Sequence, residues 1–369
     1  MAYWTMGVGV PIKNNSFRFG TKKETTFSAG EAALQTILSV TETSPTLSKL
    51  LRANDRVLLG PNSAGQSETA LVSSTGSGTI TIPSPGVTYA YSSGDPVTFI
   101  GTRLAEAWDI SGTHTPASID GGGKDDDYAQ QLSFGGVDGA RKFYQTLSTV
   151  AGLSQFEATT VYRFGCNLDV AGSSAVVGVA VNDGSSDFIT GTASAAGYSS
   201  LASYTDTGTS AAIGSLGAGE IYFDYDSGTV DTVNIDCVYL EHASGTDDAA
   251  SGVYTFDEYP ALGSVGIETR ETEIEAQLLN NTLAVFDPFN SQGKEVKHTV
   301  TAEFGYCAQT FMDNLTVLLR WQRKGNLLTL HTALDNIPPV LYGKMYITNR
   351  RKDMYDVTRS SFAFTFKEV

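Results

Sequence analysis

Residues 161–170 read VYRFGCNLDV and residues 232–240 read TVNIDCVYL. Tyr162, Phe164, Cys166 and Leu168 take every second place in the first run, and Val233, Ile235, Cys237 and Tyr239 do so in the second. Successive side chains of a strand point to opposite faces, so this spacing describes strands with one face in a core. Two more runs carry the pattern: 175–183 (AVVGVAVND), through Val176, Val177, Val179 and Val181, and 220–226 (EIYFDYD), through Ile221, Phe223 and Tyr225. Turn residues part such runs, which is the rhythm of a β-sandwich or jelly roll. Between Asp183 and Glu220 the chain is nearly all Gly, Ala, Ser, Thr and Asp with a few aromatics. That stretch reads as a long, partly mobile loop.

Outward from this centre, the chain has 369 residues, enough for two or three domains with cores of their own. The 24 Lys and Arg against 40 Asp and Glu give a net charge of −16. Residues 100–250 hold five basic and twenty acidic groups, so nearly all of the excess sits there. A chain of this charge has no electrostatic footprint for nucleic acid and none for an anionic membrane. No apolar run reaches the ~18 residues of a membrane span. The opening MAYWTMGVGVPIKNN lacks the basic start of a signal peptide, and only three cysteines occur, Cys166, Cys237 and Cys307. Both features fit assembly in a reducing cytoplasm, with the thiols as small buried hydrophobes; a Cys166–Cys237 disulfide is the alternative. Gly/Ser/Asp-rich stretches at 109–127 and 241–252 flank the acidic third. The expected division is 1–102, 103–250 and 251–369.

In the first third, 30–40 (GEAALQTILSV) places Ala33, Leu34, Ile37 and Leu38 at helical spacing, and 46–52 forms a second short helix. The runs RVLLG (56–60), TALVS (69–73), TITI (79–82) and PVTFIG (96–101) are short strands of a small barrel. In the last third, Phe311, Leu315, Leu318, Leu319 and Gln322 share a helix face in 310–326, with Gly325 as its stop. Strands follow at 327–333 and 340–351, and the closing SFAFTFKEV puts Phe362, Phe364 and Phe366 on one side. The expected fold is therefore mostly β and multi-domain. A small N-terminal β-barrel with short helices precedes a central jelly-roll β-sandwich and a C-terminal β-sandwich or barrel with one packed helix.

Two resemblances follow from these runs. Trp108, YAQQLSF (128–134), the run from Lys142 to Val170 and VDTVNIDCVYLEH (230–242) together resemble jelly-roll carbohydrate-binding modules over roughly 105–243. That likeness implies glycan binding, and a structural calcium ion held in part by Asp236. The stretch 318–369, from LLRWQRKGN to FTFKEV, resembles the ring-forming domain of bacteriophage distal tail, baseplate hub and tail-tube proteins, over about 265–369. It implies a virion structural protein in a homo-oligomeric ring, usually a hexamer, beside other tail proteins, with DNA only as passing cargo. In that family the domain usually comes first, whereas here it is last.

Several motifs are missing. There is no HExxH, no i, i+4 histidine pair, no Cys-x-x-Cys and no GxSxG elbow. GGGKDDD (121–127) lacks phosphate-loop spacing and reads as a solvated turn, with a weak calcium site as the alternative. His114 and His242 fall in linkers, His298 and His331 in strands. The expectation is a binder and not an enzyme. Flat sugar faces pack on aromatic rings, so Tyr198, Tyr204 and Trp108 are the candidate glycan contacts. Arg320, Arg323, Lys324, Arg350 and Arg351 are candidate assembly contacts, with Glu271 and Glu273, on one strand face with Glu275, as their partners across a subunit boundary. Alternative readings are a head or tail decoration protein that attaches through carbohydrate, and a non-viral glycan-binding protein.

Overall fold

Alternation fixes the centre of the molecule. The computed structural model describes residues 4–17, 23–43, 45–100, 103–111, 115–120, 123–124, 128–133, 142–147, 156, 159–171, 176–210, 219–227, 232–244, 253–256, 259–261, 263–271, 274–277, 283–286, 296–323, 325–332, 334, 338–352 and 359–369. The N-terminal strands are β1 (Thr5–Gly9), β2 (Lys23–Thr26), β3 (Ile37–Ser39), β4 (Arg56–Leu59), β5 (Glu68–Leu71), β6 (Ser74–Gly76), β7 (Thr79–Thr81) and β8 (Pro96–Ile100), with the single-turn helix α1 (Leu47–Leu50). The middle holds β9 (Asp109–Ile110), β10 (Thr115–Asp120), β11 (Tyr128–Ser133), β12 (Lys142–Thr146), β13 (Val161–Val170), β14 (Val176–Asp183), β15 (Asp187–Ser194), β16 (Ala202–Thr209), β17 (Gly219–Ser227) and β18 (Thr232–Ser244). The remainder is β19 (Val253–Thr255), β20 (Gly266–Glu271), β21 (Ile274–Gln277), β22 (Leu283–Phe286), β23 (Val296–Ala308), helix α2 (Gln309–Arg323), β24 (Leu327–His331), β25 (Val340–Lys352) and β26 (Arg359–Glu368). The chain is mostly β and built as several sheets, as its alternation requires.

The middle third is a sandwich. One sheet runs β15-β14-β17-β12-β9; facing it, β10-β11-β18-β13-β16 are joined side by side. The chain crosses between the sheets at β11–β12, β13–β14, β15–β16 and β17–β18, the weave of a jelly roll. Inward positions of both sheets meet in one core, where Phe143, Phe164, Phe223, Leu168, Val177, Val179 and Ile235 are all buried. The Asp183–Glu220 stretch is corrected here. It carries strands β15 and β16, whose Ile189, Ala193 and Tyr204 reach the core, so a few well-spaced apolar residues among Ser and Thr suffice for pairing.

Two small open sheets, β2-β8-β4-β5 and β3-β7-β6, make the N-terminal module around Phe27, Val57, Leu59 and Phe99; no closed barrel forms among the described residues. The helix expected at 30–40 is absent. Leu34 sits at φ +69 and is 68% exposed, Ile37 is exposed, and residues 37–39 pair with β7 instead. Helical spacing there described a turn and a strand that bury, of the run's apolar residues, only Leu38 and Val40.

In the C-terminal unit α2 packs Phe311, Met312, Leu315, Leu318 and Trp321 onto a sheet ordered β24-β25-β26-β23-β20. Phe304, Phe362 and Phe364 stack in its core, and Gly325, at φ +102, ends the helix with its N–H bonded to the Gln322 carbonyl at 3.0 Å.

Strand β1 joins the units. It lies between β18 and β24, so one sheet runs from the sandwich into the C-terminal unit. Met6 and Val8 enter the C-terminal core, while Val10 and Ile12 enter the central one. Glu241 of β18 is fully buried at this seam. It accepts from Arg163 Nε at 2.8 Å and from Thr329 Oγ1 at 2.5 Å, is bonded also by Arg163 Nη2, and lies 3.0 Å from His331 Nε2. Burial opposes its charge, yet His331, Arg163 and Thr329 outweigh that and hold its pKa below the usual carboxylate value. His242 is a further correction: it lies inside β18, buried between Tyr162 and Trp321, and not in a linker. Burial lowers its pKa to about 4.

Candidate functional site

The outer face of the five-stranded sheet follows from the same alternation. Phe143, Ile221, Phe223, Val177, Val179 and Val181 point inward, so Tyr144, Tyr222 and Ala180 take the opposite phase, the two tyrosines half-buried and Ala180 covered. Strand register arranges them in rows. Thr190, Ala180, Tyr222, Tyr144 and Asp109 are successive neighbours across β15, β14, β17, β12 and β9. A parallel row runs Thr192, Gly178, Asp224 and Lys142, and a third joins Asp187, Asn182, Glu220 and Thr146. At ~4.8 Å per strand the first row is about 19 Å long.

Tyr222 is the centre of this face. Its hydroxyl donates to Asp187 Oδ2 at 2.7 Å, and Asn182 Nδ2 donates to Asp187 Oδ1 at 2.8 Å. The Lys142 ammonium lies 4.0 Å from the Tyr222 ring centroid and 3.6 Å from Glu220 Oε2. Burial, then Asp187, pushes the Tyr222 phenol well above its ordinary value; burial and Asp109 raise that of Tyr144. Both remain neutral phenols that can donate a hydrogen bond. Paired half-buried rings bordered by carboxylates, an amide and threonines offer stacking and hydrogen bonding together.

The residues expected from sequence lie elsewhere. Trp108 is 4% exposed, stacked on Phe143 at 4.7 Å with 12° between planes, and presents no ring face to a ligand. Tyr204 is buried too; its hydroxyl donates to Asp206 at 3.4 Å. Tyr198 is half-buried with its ring tilted against Tyr204 at 5.5 Å. Tyr204 occupies the inward phase of β16, and Trp108, just before β9, is packed on Phe143, so neither ring is open to a sugar. Tyr144 and Tyr222 were missed, although each stands out of phase between inward neighbours, in Phe143-Tyr144-Gln145 and Ile221-Tyr222-Phe223.

Asp236 is fully buried, and its two oxygens accept backbone N–H groups of Lys124 at 2.8 Å and Cys237 at 2.6 Å. No group of three or more metal-binding side chains occurs among the described residues. Arg320 and Arg323 are exposed on α2, and Arg350 and Arg351 are exposed on β25. Lys324 and Glu273 lie outside the described residues. Glu271 ends β20 whereas Glu275 belongs to β21, so the acidic residues expected on one strand face are split between two strands with different partners. Cys166, Cys237 and Cys307 are buried thiols outside any disulfide, and burial pushes the Cys166 thiol well up.

No family model and no curated protein matches the chain. Among solved structures it is similar to one described as "CBM4 structure and function" (15% identity, 37% of this chain and 86% of that one, TM-score 0.28). It is also similar to the CBM22-1 xylan-binding domain of Paenibacillus barcinonensis Xyn10C (8% identity, 38% and 88%, TM-score 0.29). A third is the arabinose-bound α-L-arabinofuranosidase MgGH51, of which the match spans 25% (12% identity, 40% of this chain, TM-score 0.32). At these TM-scores and identities none of the three says what this chain binds. No described helix is long and apolar enough to cross a membrane.

Proposed function

We propose that the central sandwich binds a glycan across the outer face of its five-stranded sheet. The observation that carries this reading is the side-by-side placement of Tyr144 and Tyr222 on the solvent side of adjacent strands, in one row with Ala180, Thr190 and Asp109. A sugar chain laid across the strands stacks on the two rings and meets hydrogen-bonding groups at its margins. Binding is favoured over hydrolysis because the carboxylates nearest the rings are engaged, Asp187 by Tyr222 and Asn182, Glu220 by Lys142. Single-site affinity is weak, on the order of millimolar to tens of micromolar, since a sugar offers little apolar area. A glycan array followed by calorimetry tests it. Tyr144→Ala and Tyr222→Ala abolish binding, while Tyr198→Ala leaves it. Binding that survives both losses sinks the assignment of this face.

A second reading concerns the C-terminal unit: a self-associating, phage-tail-like element that holds copies in a ring and displays the sandwich outward. It is favoured by strand β20, which pairs only with β23 among the described strands and exposes Ile267, and by Tyr346 exposed on β25. Light scattering on the full chain decides it. A ring gives a mass several times 39.2 kDa that collapses when charged or proline substitutions are placed on β20; a monomer at high concentration rules it out.

A further inference from the structure

We infer that the ligand of this face is cationic: a glycan that carries free amino groups, such as a polymer of glucosamine. The inference rests on the glycan reading above and adds the chemical class. Tyr222 already holds a positive charge. Lys142 stretches its ammonium over that ring, 4.0 Å from the centroid, and braces it against Glu220 at 3.6 Å. The register sets Asp224 directly opposite Lys142, and Asp187 takes the Tyr222 hydroxyl. A cation over an aromatic face with carboxylates beside it is the arrangement that recognises an ammonium group. Here the protein fills the position with its own side chain.

That side chain is a replaceable occupant. Lys142 stays 37% exposed, on a flexible stem at the open edge of the row. Asp109, Asp187, Glu220 and Asp224 line the same face; Lys142 is the cation that its strands supply, and Lys49 of α1 acts on Asp109 at its border. A glycan amine that displaces Lys142 from the ring keeps both the aromatic contact and the carboxylates, and releases the lysine to water. An uncharged sugar keeps the stacking and the hydrogen bonds at the margins but draws nothing from the charge of the carboxylates. An acidic sugar meets four like charges, a separation that rim electrostatics enforce.

The test compares three probes on the full-length protein: the hexamers of glucosamine and of N-acetylglucosamine, and cellohexaose. In low salt the glucosamine hexamer binds about tenfold more tightly than either neutral hexamer, and 0.5 M NaCl shrinks the advantage to about twofold. Lys142→Met tightens glucosamine binding severalfold, a gain that a misfolded variant cannot give, and Asp224→Asn lowers the preference for the glucosamine hexamer over the two neutral ones. If either neutral hexamer binds as well as the glucosamine hexamer in low salt, the cationic assignment is overturned and the glycan reading stands. If none of the three binds, both fall together.

Discussion

The two outer faces of the sandwich come from the same kind of strand and end in opposite circumstances. On the β15-β14-β17-β12-β9 side, out-of-phase tyrosines meet solvent. On the β13–β18 side, a register shift at Cys237 (φ +50) turns Tyr239 away from the face of Val233 and Ile235 on which its spacing had placed it, so Arg163, Tyr239 and Glu241 lie under β1 and β24, and Tyr239 rests on the backbone of Gly165 with His331 edge-on at 4.9 Å. Polar and aromatic residues in the solvent phase of a strand thus have two fates. Whether they bind something or bond one another depends on what the rest of the chain lays over them. The seam chose buried, saturated polar bonds, which are costly to break singly; the open face kept partners that can be exchanged.

The sharpest way to break this contrast is Glu241→Ala. It leaves the Arg163 guanidinium without its buried partner and should cost about 3–5 kcal/mol in denaturant unfolding. A loss below about 1 kcal/mol would mean that water reaches the seam. Acid comes next. His242 has a folded pKa of about 4 against 6.5 for the free side chain. Between those values the unfolded chain binds a proton that the folded chain refuses, so stability is full above pH 6.5 and falls as pH drops towards 4, by about 3 kcal/mol. Glu241, with its lowered pKa, adds a loss of the same sign further down, below the ordinary carboxylate value. His242→Asn should flatten the upper part of the profile, and an unchanged slope there assigns it to another group.

The smallest effect is a matched pair of glycines. A Cβ on Gly165 would lie 2.2 Å from Tyr239 Cζ, whereas one on Gly178 finds nothing nearer than 3.8 Å. Gly165→Ala should therefore cost about 1–3 kcal/mol and Gly178→Ala stay within about 0.5. Equal effects would erase the distinction between the faces.

Much of the fold was legible because period-2 alternation is a direct consequence of strand geometry. The runs at 161–170, 175–183, 220–226 and 232–240 became β13, β14, β17 and β18. The site was less legible. Tyr204 was picked as an aromatic of a polar stretch read as a loop, whereas it takes the inward phase of β16; Trp108 precedes β9 and packs on Phe143. The same alternation that placed Phe223 inside placed Tyr222 outside, so the signal was present in the phase of the residues. Strand β1 had no comparable signal: five residues, two of them glycine, acquire their meaning only from partners far along the chain. The stretch at 30–40 failed for the reverse reason, since Ala33, Leu34, Ile37 and Leu38 match a helix period by chance and the pairing of residues 37–39 with β7 overrode it.

The placement of β1 also imposes a timetable. Asn15, just beyond it, donates a buried hydrogen bond to the Val340 carbonyl, 325 positions later. A ribosome adding ~5–20 residues per second needs roughly fifteen seconds to a minute to cover that distance. Through that interval the sandwich strands can close on one another, while Trp4, Met6 and Val8 wait with no C-terminal core to enter. Nascent chains stalled after residue 250 would thus carry a finished sandwich and an unclaimed apolar strand, which is the sort of segment that holding chaperones shield.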